Sequence, residues 1–412
     1  MNRIILHCDC NSFFASVELL SYPELKDKPV AVSGCEDDRH GIILAKNDAA
    51  KKYGIQTAET VWRAKQKCPA LILLPPHREK YEKYSKQINS IYDRYSDLVE
   101  PFSIDESYLD VTGSLHLFGG DAKALADEIR QVVQNETGLT ISIGVSFNKI
   151  FAKLGSDYKK PNATTVISRK NYKEILYPLP IRDLIFVGKA AEASLKNYGI
   201  HTIGDLAEKD REYLAKQFGK MGDILWKYAN GQDNSPVLAR GQAQEIKSVG
   251  NGHTFKRNLV GMADLKAGVT SLADTVAMRL RSKGLYCTGV QLTIKNTELK
   301  SLQRQVQLPA THLSEDLTNA CMEILRKHWD KHTPVRLLTV TAIGLVDTPF
   351  QEQVSFFETA DKGKEKQEHL EQTLFEIKNK FGKHSIARGN VVHNDIGISE
   401  LAVQGDVQDE DE

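Results

Sequence analysis

The six cysteines of this 412-residue chain contain no CxxC pair. Cys8 and Cys10 lie two apart, and Cys35, Cys68, Cys287 and Cys321 are scattered, so neither a zinc site nor a disulfide framework is expected. There is no signal peptide and no long apolar run, which predicts a reducing cytosol as the compartment. Net charge is lacking too, with 54 Lys and Arg against 54 Asp and Glu. A neutral chain at first argues against a nucleic-acid binder. The distribution of the charges argues the other way. From Gly389 onward there are seven acids (Asp395, Glu400, Asp406, Asp409, Glu410, Asp411, Glu412) and no Lys or Arg, leaving 54 basic against 47 acidic residues elsewhere. Residues 236–348 alone hold 15 basic and 9 acidic side chains, an excess that suits a polyanionic partner. The acidic end, Gly405 to Glu412, has the composition of a disordered segment.

What is present is sharper. Ser103-Ile104-Asp105-Glu106-Ser107 places two adjacent carboxylates at the centre of a strand-like stretch from Pro101 to Val111. Like charges side by side in a hairpin repel, so a positive group is expected on them. A hard divalent cation such as Mg²⁺ meets that need with one or two carboxylates, water and phosphate. The run Arg3 to Cys8 reads as a short apolar strand ending at Asp9, a candidate third acid. Asn11 or Ser12 then stands where it can cap a helix with Phe14 and Val17 facing inward. Alone, Asp9 reads first as a cap or turn residue and Phe14 as core. The three acids together point to a metal-dependent phosphate chemistry.

Asp9-Cys10-Asn11-Ser12-Phe13-Phe14-Ala15-Ser16-Val17-Glu18 and Ser103-Ile104-Asp105-Glu106-Ser107-Tyr108-Leu109-Asp110 resemble the two signature motifs of Y-family DNA polymerases, the DinB branch above all. Ser142 to Ser156 followed by Lys160-Pro161, and Lys247-Ser248-Val249-Gly250, extend the resemblance over residues 3 to about 348. It implies a multidomain α+β fold: a ferredoxin-like palm (1–19 and 77–166) with a fingers insertion (20–76), and a helical thumb with a helix-hairpin-helix (167–233). A linker (234–243), an α/β little finger that binds DNA (244–348) and a tail (349–412) complete it. Helices are expected at 121–137, 263–283, 314–329 and 367–380, and strands at 140–146, Val290–Ile294 and Leu337–Ile343.

The resemblance further implies template-directed addition of deoxynucleotides to a primer 3′-hydroxyl, as low-fidelity translesion synthesis with no length left for an exonuclease. Two Mg²⁺ ions would be held by Asp9, Asp105, Glu106 and the Cys10 backbone carbonyl, with the three acids catalytic. Phe14 matches the steric gate against ribose, and Lys160 and Lys51 match triphosphate-binding positions. Two departures stand out. Asp48 sits where a tyrosine is frequent, and Phe186 replaces the first glycine of the hairpin in Phe186-Val187-Gly188. In the tail, Gln353-Val354-Ser355-Phe356-Phe357 resembles a sliding-clamp-binding peptide, while Gln372-Thr373-Leu374-Phe375 reads as one face of a helix. The expected partners are primer-template DNA, deoxynucleoside triphosphates and the clamp, with no membrane and a monomeric chain. A catalytically dead DNA- or clamp-binding scaffold is the main alternative, and retention of all three acids argues against it. A palm-based nucleotide cyclase ranks lower, since it has no use for a helix-hairpin-helix or a basic C-terminal domain.

Overall fold

The computed structural model describes residues 3–34, 41–242, 246–348, 362–382, 385–389, 391 and 394–398. These fall into two compact units, one on either side of residues 243–245.

In chain order the first unit opens with strand β1 (Ile5–Cys10) and helix α1 (Phe13–Leu19). An insertion follows: β2 (Val30–Ser33), β3 (Ile43–Lys46), α2 (Asp48–Lys51), α3 (Val61–Lys67) and β4 (Ile72–Leu74) form a small sheet of order β3-β2-β4. The main body resumes with α4 (Arg78–Tyr92), β5 (Val99–Pro101), β6 (Glu106–Asp110), α5 (Ala122–Thr137), β7 (Ile141–Ser146), α6 (Lys149–Tyr158) and β8 (Thr164–Ile167). Its sheet runs β5-β6-β1-β7-β8, with β1 antiparallel to both neighbours and β7 parallel to β8.

Because side chains alternate along a strand, β1 serves two layers. Leu6, Cys8 and Cys10 enter a core with Ile88, Ile91 and Tyr92 of α4 and Leu125, Ile129 and Val133 of α5. Ile5, His7 and Asp9 take the other face, beneath α6. Each aliphatic side chain buried in such layers contributes about 1.5–3 kcal/mol. The helices are punctuated locally. Asp121 accepts from Lys123 N and Ala124 N at the start of α5, and Gly138, at φ 73°, ends it. Asn148 accepts from Phe151 N to start α6. Gly144 lets α6 lie flush on the sheet, since a Cβ there would meet Ala152 O at 1.9 Å and Ser156 N at 2.4 Å.

Four helices follow: α7 (Tyr172–Leu176), α8 (Lys189–Lys196), α9 (Ile203–Glu208) and α10 (Arg211–Ala229), the last broken at Gly219. Residues 233–240 do not dangle. Val237 is buried with Ile5, Tyr108 and Ala152, and Leu238 N donates to the buried Glu100 carboxylate at 2.8 Å.

The second unit is a four-stranded antiparallel sheet, β11-β10-β12-β9, built from β9 (Ser248–Leu259), α11 (Gly261–Ser282), β10 (Tyr286–Asn296), β11 (Ser301–Thr311), α12 (Ser314–His328) and β12 (Val335–Val346). Leu265, Val269, Leu272, Val276 and Leu280 form the helical stripe of α11 against the sheet. Helix α13 (Lys362–Phe381) is fastened by Glu371, whose buried carboxylate caps α12 at Ser314 N, where Leu313 has no side chain to do so. Ile396 and Ile398 reach into the same core. Among the described residues, no helix is long and apolar enough to cross a membrane.

Three local expectations change. The Asp105–Glu106 pair sits at a turn-to-strand boundary, since β6 begins at Glu106 and residues 103–105 form the turn. Neither Asn11 nor Ser12 caps α1: Ser12 has φ 51° and makes no side-chain cap bond. Asn11 reaches across the sheet instead, donating to Ser142 Oγ at 2.9 Å and accepting from Asn162 N at 2.8 Å. Phe14 is half-buried, the fully inward positions of α1 being Phe13, Ala15, Val17 and Glu18.

Candidate active site

Asp9 and Glu106 are direct partners across the β1–β6 ladder, so their side chains leave the same face of the sheet. Two near-buried carboxylates in contact repel unless they share a proton or gain cations. Both occur here. Burial pushes the Asp9 acid up, Lys160 opposes it, and the hydrogen bond to Glu106 raises it again, to about 7. Burial acts upward on Glu106 too, but His7, Asp9 and Lys153 beside it hold its carboxyl well below the usual range. Lys160 Nζ lies 2.6 Å from Asp9 and 2.7 Å from Asp157. Lys153 Nζ meets both Glu106 oxygens at 2.8 and 2.7 Å. Each acid of the pair thus has its own lysine.

Asp105 is next to this pair through the backbone: its carbonyl accepts from Cys10 N at 3.0 Å. Its carboxylate turns away to accept from Ser103 Oγ at 2.7 Å. Accordingly, among the described residues, no three His, Cys, Asp or Glu side chains converge as a closed metal cage. The Cys10 thiol is buried and pushed well above its ordinary value by that burial and by the nearby acids, which leaves only its backbone carbonyl as a suitable donor.

The loop carrying Lys160 is held from two sides. Asn11 Oδ1 accepts from Asn162 N, and Arg130 donates to the Asn162 carbonyl and, at 2.8 Å, to its Oδ1. Phe14 stacks on Tyr81, whose hydroxyl donates to the fully buried Glu18 at 2.5 Å. Lys51 stands apart on the inserted sheet, paired with Asp48 at 2.8 Å within its own short helix. In the turn that leads into α8, Phe186 takes φ 70°, a conformation that favours the glycine it replaces. The 353–357 peptide and the acidic end lie outside the described residues.

The structure therefore brings Asp9, Glu106 and Lys160 together, sets Asp105 beside them, stacks Phe14 on Tyr81 and leaves Lys51 with Asp48. Sequence reading missed His7, Arg130 and Lys153, and gave Asn11 a capping role in place of its cross-sheet one. Lys153 lies within the 142–156 motif, so the signal was there without a role attached. The donor set fits a hard divalent cation: carboxylate oxygens in contact, with ammonium groups already at 2.6–2.8 Å where positive charge is wanted.

The impB/mucB/samB family model matches residues 8–157, and the model of that family's C-terminal domain matches residues 246–355. DNA polymerase IV of Acetivibrio thermocellus is 44% identical over 402 residues, covering 97% of this chain and 100% of the relative. DNA polymerase IV 1 of Bacillus subtilis is 36% identical over 390 residues, covering 94% and 93%. Among solved structures, the Y-family DNA polymerase chimera Dbh-Dpo4(243-245)-Dbh superposes with a TM-score of 0.73 at 25% identity, over 84% of this chain and 100% of its own. With its two acidic motifs joined at one end of the β1–β6 ladder and relatives matched almost end to end, this chain belongs to the Y-family DNA polymerases, in the DinB branch of the bacterial DNA polymerase IV enzymes.

Proposed function

We propose that this chain performs template-directed translesion DNA synthesis at the end of the β1–β6 ladder, where Asp9 faces Glu106. The observation that carries the reading is the Asp9–Glu106 contact with Lys160 at 2.6 Å. Asp9, Asp105, Glu106 and the Cys10 carbonyl would hold two Mg²⁺ ions, which when bound supply charge neutralisation for the attacking and leaving oxygens. The protein's own share is positioning. Asp105 turns from Ser103 toward the pair. Lys160 exchanges Asp9 for the triphosphate, a short move for a side chain one-third exposed. Phe14 lies flat under the sugar and refuses a 2′-hydroxyl by clash. Lys51 adds a second, weaker point charge on the phosphates.

Residues 1–19 and 77–166 serve as palm, 20–76 as fingers, 167–233 as thumb and 244–348 as little finger. The backbone at the start of α8 would meet a DNA phosphate without reading sequence. The basic excess over 236–348 suits the duplex. Gln353, Val354, Ser355, Phe356 and Phe357 would dock a sliding clamp, and the protein would act as a cytosolic monomer.

Primer extension on a primed single-stranded template with Mg²⁺ and four deoxynucleotides tests the reading. Wild type extends and Asp105→Ala/Glu106→Ala does not, while both bind DNA. Absence of extension by wild type with DNA binding intact would transfer the chain to a scaffold role.

A further inference from the structure

Lys153 projects from the middle of α6, and its ammonium is held between two surfaces. Both Glu106 oxygens meet it at 2.8 and 2.7 Å, and the Phe102 ring centroid lies 5.6 Å away. Lysine and glutamate side chains are each only 19% exposed. One turn further along α6, Ser156 Oγ donates to the Lys153 carbonyl at 2.8 Å, which leaves its lone pair to accept from His7 Nδ1 at 2.8 Å. His7 is fully buried, and its Nε2 faces Glu106 at 3.7 Å with no hydrogen-bond partner. One helix therefore holds Glu106 directly, through Lys153, and seats His7 beside it through Ser156. The helix cannot drift, because Gly144 brings it into backbone contact with the sheet. Lys160 differs: it lies beyond the helix end and divides itself between Asp9 and Asp157.

We infer that Lys153 is a positioning residue: it fixes the orientation of Glu106 and sets how tightly a divalent cation is held there. The effect on turnover rests on the polymerase reading; the effect on cation binding does not. The two effects have opposite signs. An ammonium already on Glu106 repels an arriving cation, so it lowers affinity. The same ammonium, bonded to both oxygens, keeps the carboxylate aimed, so it raises rate. Removing it should tighten cation binding and slow the reaction. A residue that only stabilised the fold would not separate the two.

The full-length protein is compared with Lys153→Met and Lys153→Arg. Mn²⁺ binding is titrated without DNA by electron paramagnetic resonance, and single-turnover incorporation is measured at saturating Mg²⁺ and nucleotide. Lys153→Met should bind Mn²⁺ roughly 3- to 10-fold more tightly, discounted for partial exposure, and incorporate roughly 10- to 100-fold more slowly. Lys153→Arg should recover most of the rate, since a guanidinium reaches both oxygens. In a Glu106→Gln background the substitution should no longer change Mn²⁺ affinity. Unchanged or weaker Mn²⁺ binding by a folded Lys153→Met protein overturns the assignment. So does a rate loss in Lys153→Arg as large as in Lys153→Met. Should Lys153→Met fail to fold, Lys153→Gln is read by the same criteria. If wild type incorporates nothing, the polymerase reading fails while the Mn²⁺ titration still decides the role of Lys153.

Discussion

Phe14 and Tyr81 stack nearly parallel, their ring centroids 4.1 Å apart at 11°, and the lower ring is anchored from below. Tyr81 is buried, and its hydroxyl donates to Glu18, which also accepts from His77 N at 3.1 Å. Tyr81 thus holds one face of the Phe14 ring, and the proposed steric gate would use the other. Phe14→Ala should reduce discrimination against ribonucleotides on the order of 10²-fold, read as the ratio of kcat/KM for deoxy- and ribonucleotides. Tyr81→Leu removes a stack worth about 0.5–1.5 kcal/mol and should cost several-fold in the same ratio. Tyr81→Phe keeps the ring and should keep the discrimination. Unchanged discrimination in Phe14→Ala would refute the gate.

Asp48 occupies Lys51 at 2.8 Å on an exposed surface. Such pairs are worth about 0.2–1 kcal/mol, which Lys51 must give up before it can meet a phosphate. With Lys51 on the triphosphate as proposed, Asp48 would also set an anion near an anionic substrate. Asp48→Asn should therefore lower the KM for nucleotide by about 2- to 5-fold with little change in kcat, and the gain should disappear in Asp48→Asn/Lys51→Ala. A KM that stays fixed in Asp48→Asn removes Lys51 from the substrate site.

Much of this fold is visible in the sequence, and the exceptions share a cause. Strand β1, helix α5 and helices α11 and α12 follow their apolar periodicity almost to the residue. Strands β9 and β11 do not. β9 carries Gly250 and Gly252, and β11 is a sheet edge with Gln303, Arg304, Gln305 and Gln307 pointing into solvent, so neither shows a strand's pattern. At the site, Asp9 and Glu106 are legible because a motif names them. Lys160 and Lys153 also lie in or beside a motif, but which acid each one meets, and the cross-sheet reach of Asn11 to residues 131 and 151 positions away, are set by long-range contacts that no local signal encodes.

Glu100 holds two parts of the first unit together. Its carboxylate accepts from Lys149 Nζ at 2.6 and 2.7 Å and from Leu238 N at 2.8 Å, all with little solvent access. Glu100→Ala strands a nearly buried ammonium, a loss costing about 3–5 kcal/mol. Glu100→Gln keeps an acceptor for Leu238 and should cost less. Hydrogen exchange of the β1 and β7 amides, in the whole chain, reads both variants, and equal protection in Glu100→Ala and wild type would show that Lys149 finds water instead.

A methyl group at position 144 cannot be absorbed. It would meet Ala152 O at 1.9 Å and Ser156 N at 2.4 Å, both backbone atoms of the helix that carries Lys153. Gly144→Ala must push α6 off the sheet, costing about 3 kcal/mol. It should also slow nucleotide incorporation at temperatures where the protein is still folded, because Glu106 loses its lysine. Near-wild-type unfolding in urea would mean that the sheet and helix separate more easily than their contact suggests.

Asp205 offers a test by pH. Its carboxylate accepts from His201 N and Thr202 N, each at 2.9 Å, while Thr202 Oγ1 accepts from Asp205 N, completing a capping box at the start of α9. Those backbone hydrogen bonds hold the Asp205 carboxyl below its ordinary value. A depressed carboxyl adds stability that is fully present above its unfolded pKa, near 3.9, and is lost as pH falls through the lower folded value. At pH 7, Asp205→Ala should destabilise the chain by about 1 kcal/mol, the worth of such a cap. As pH falls through that lowered folded value the gap should shrink, because the wild-type side chain is then losing its charge. Urea midpoints of both proteins at pH 7 and pH 3 give the comparison. A gap that stays constant across that range would assign the stabilisation to Thr202 and to packing, with the Asp205 charge contributing nothing.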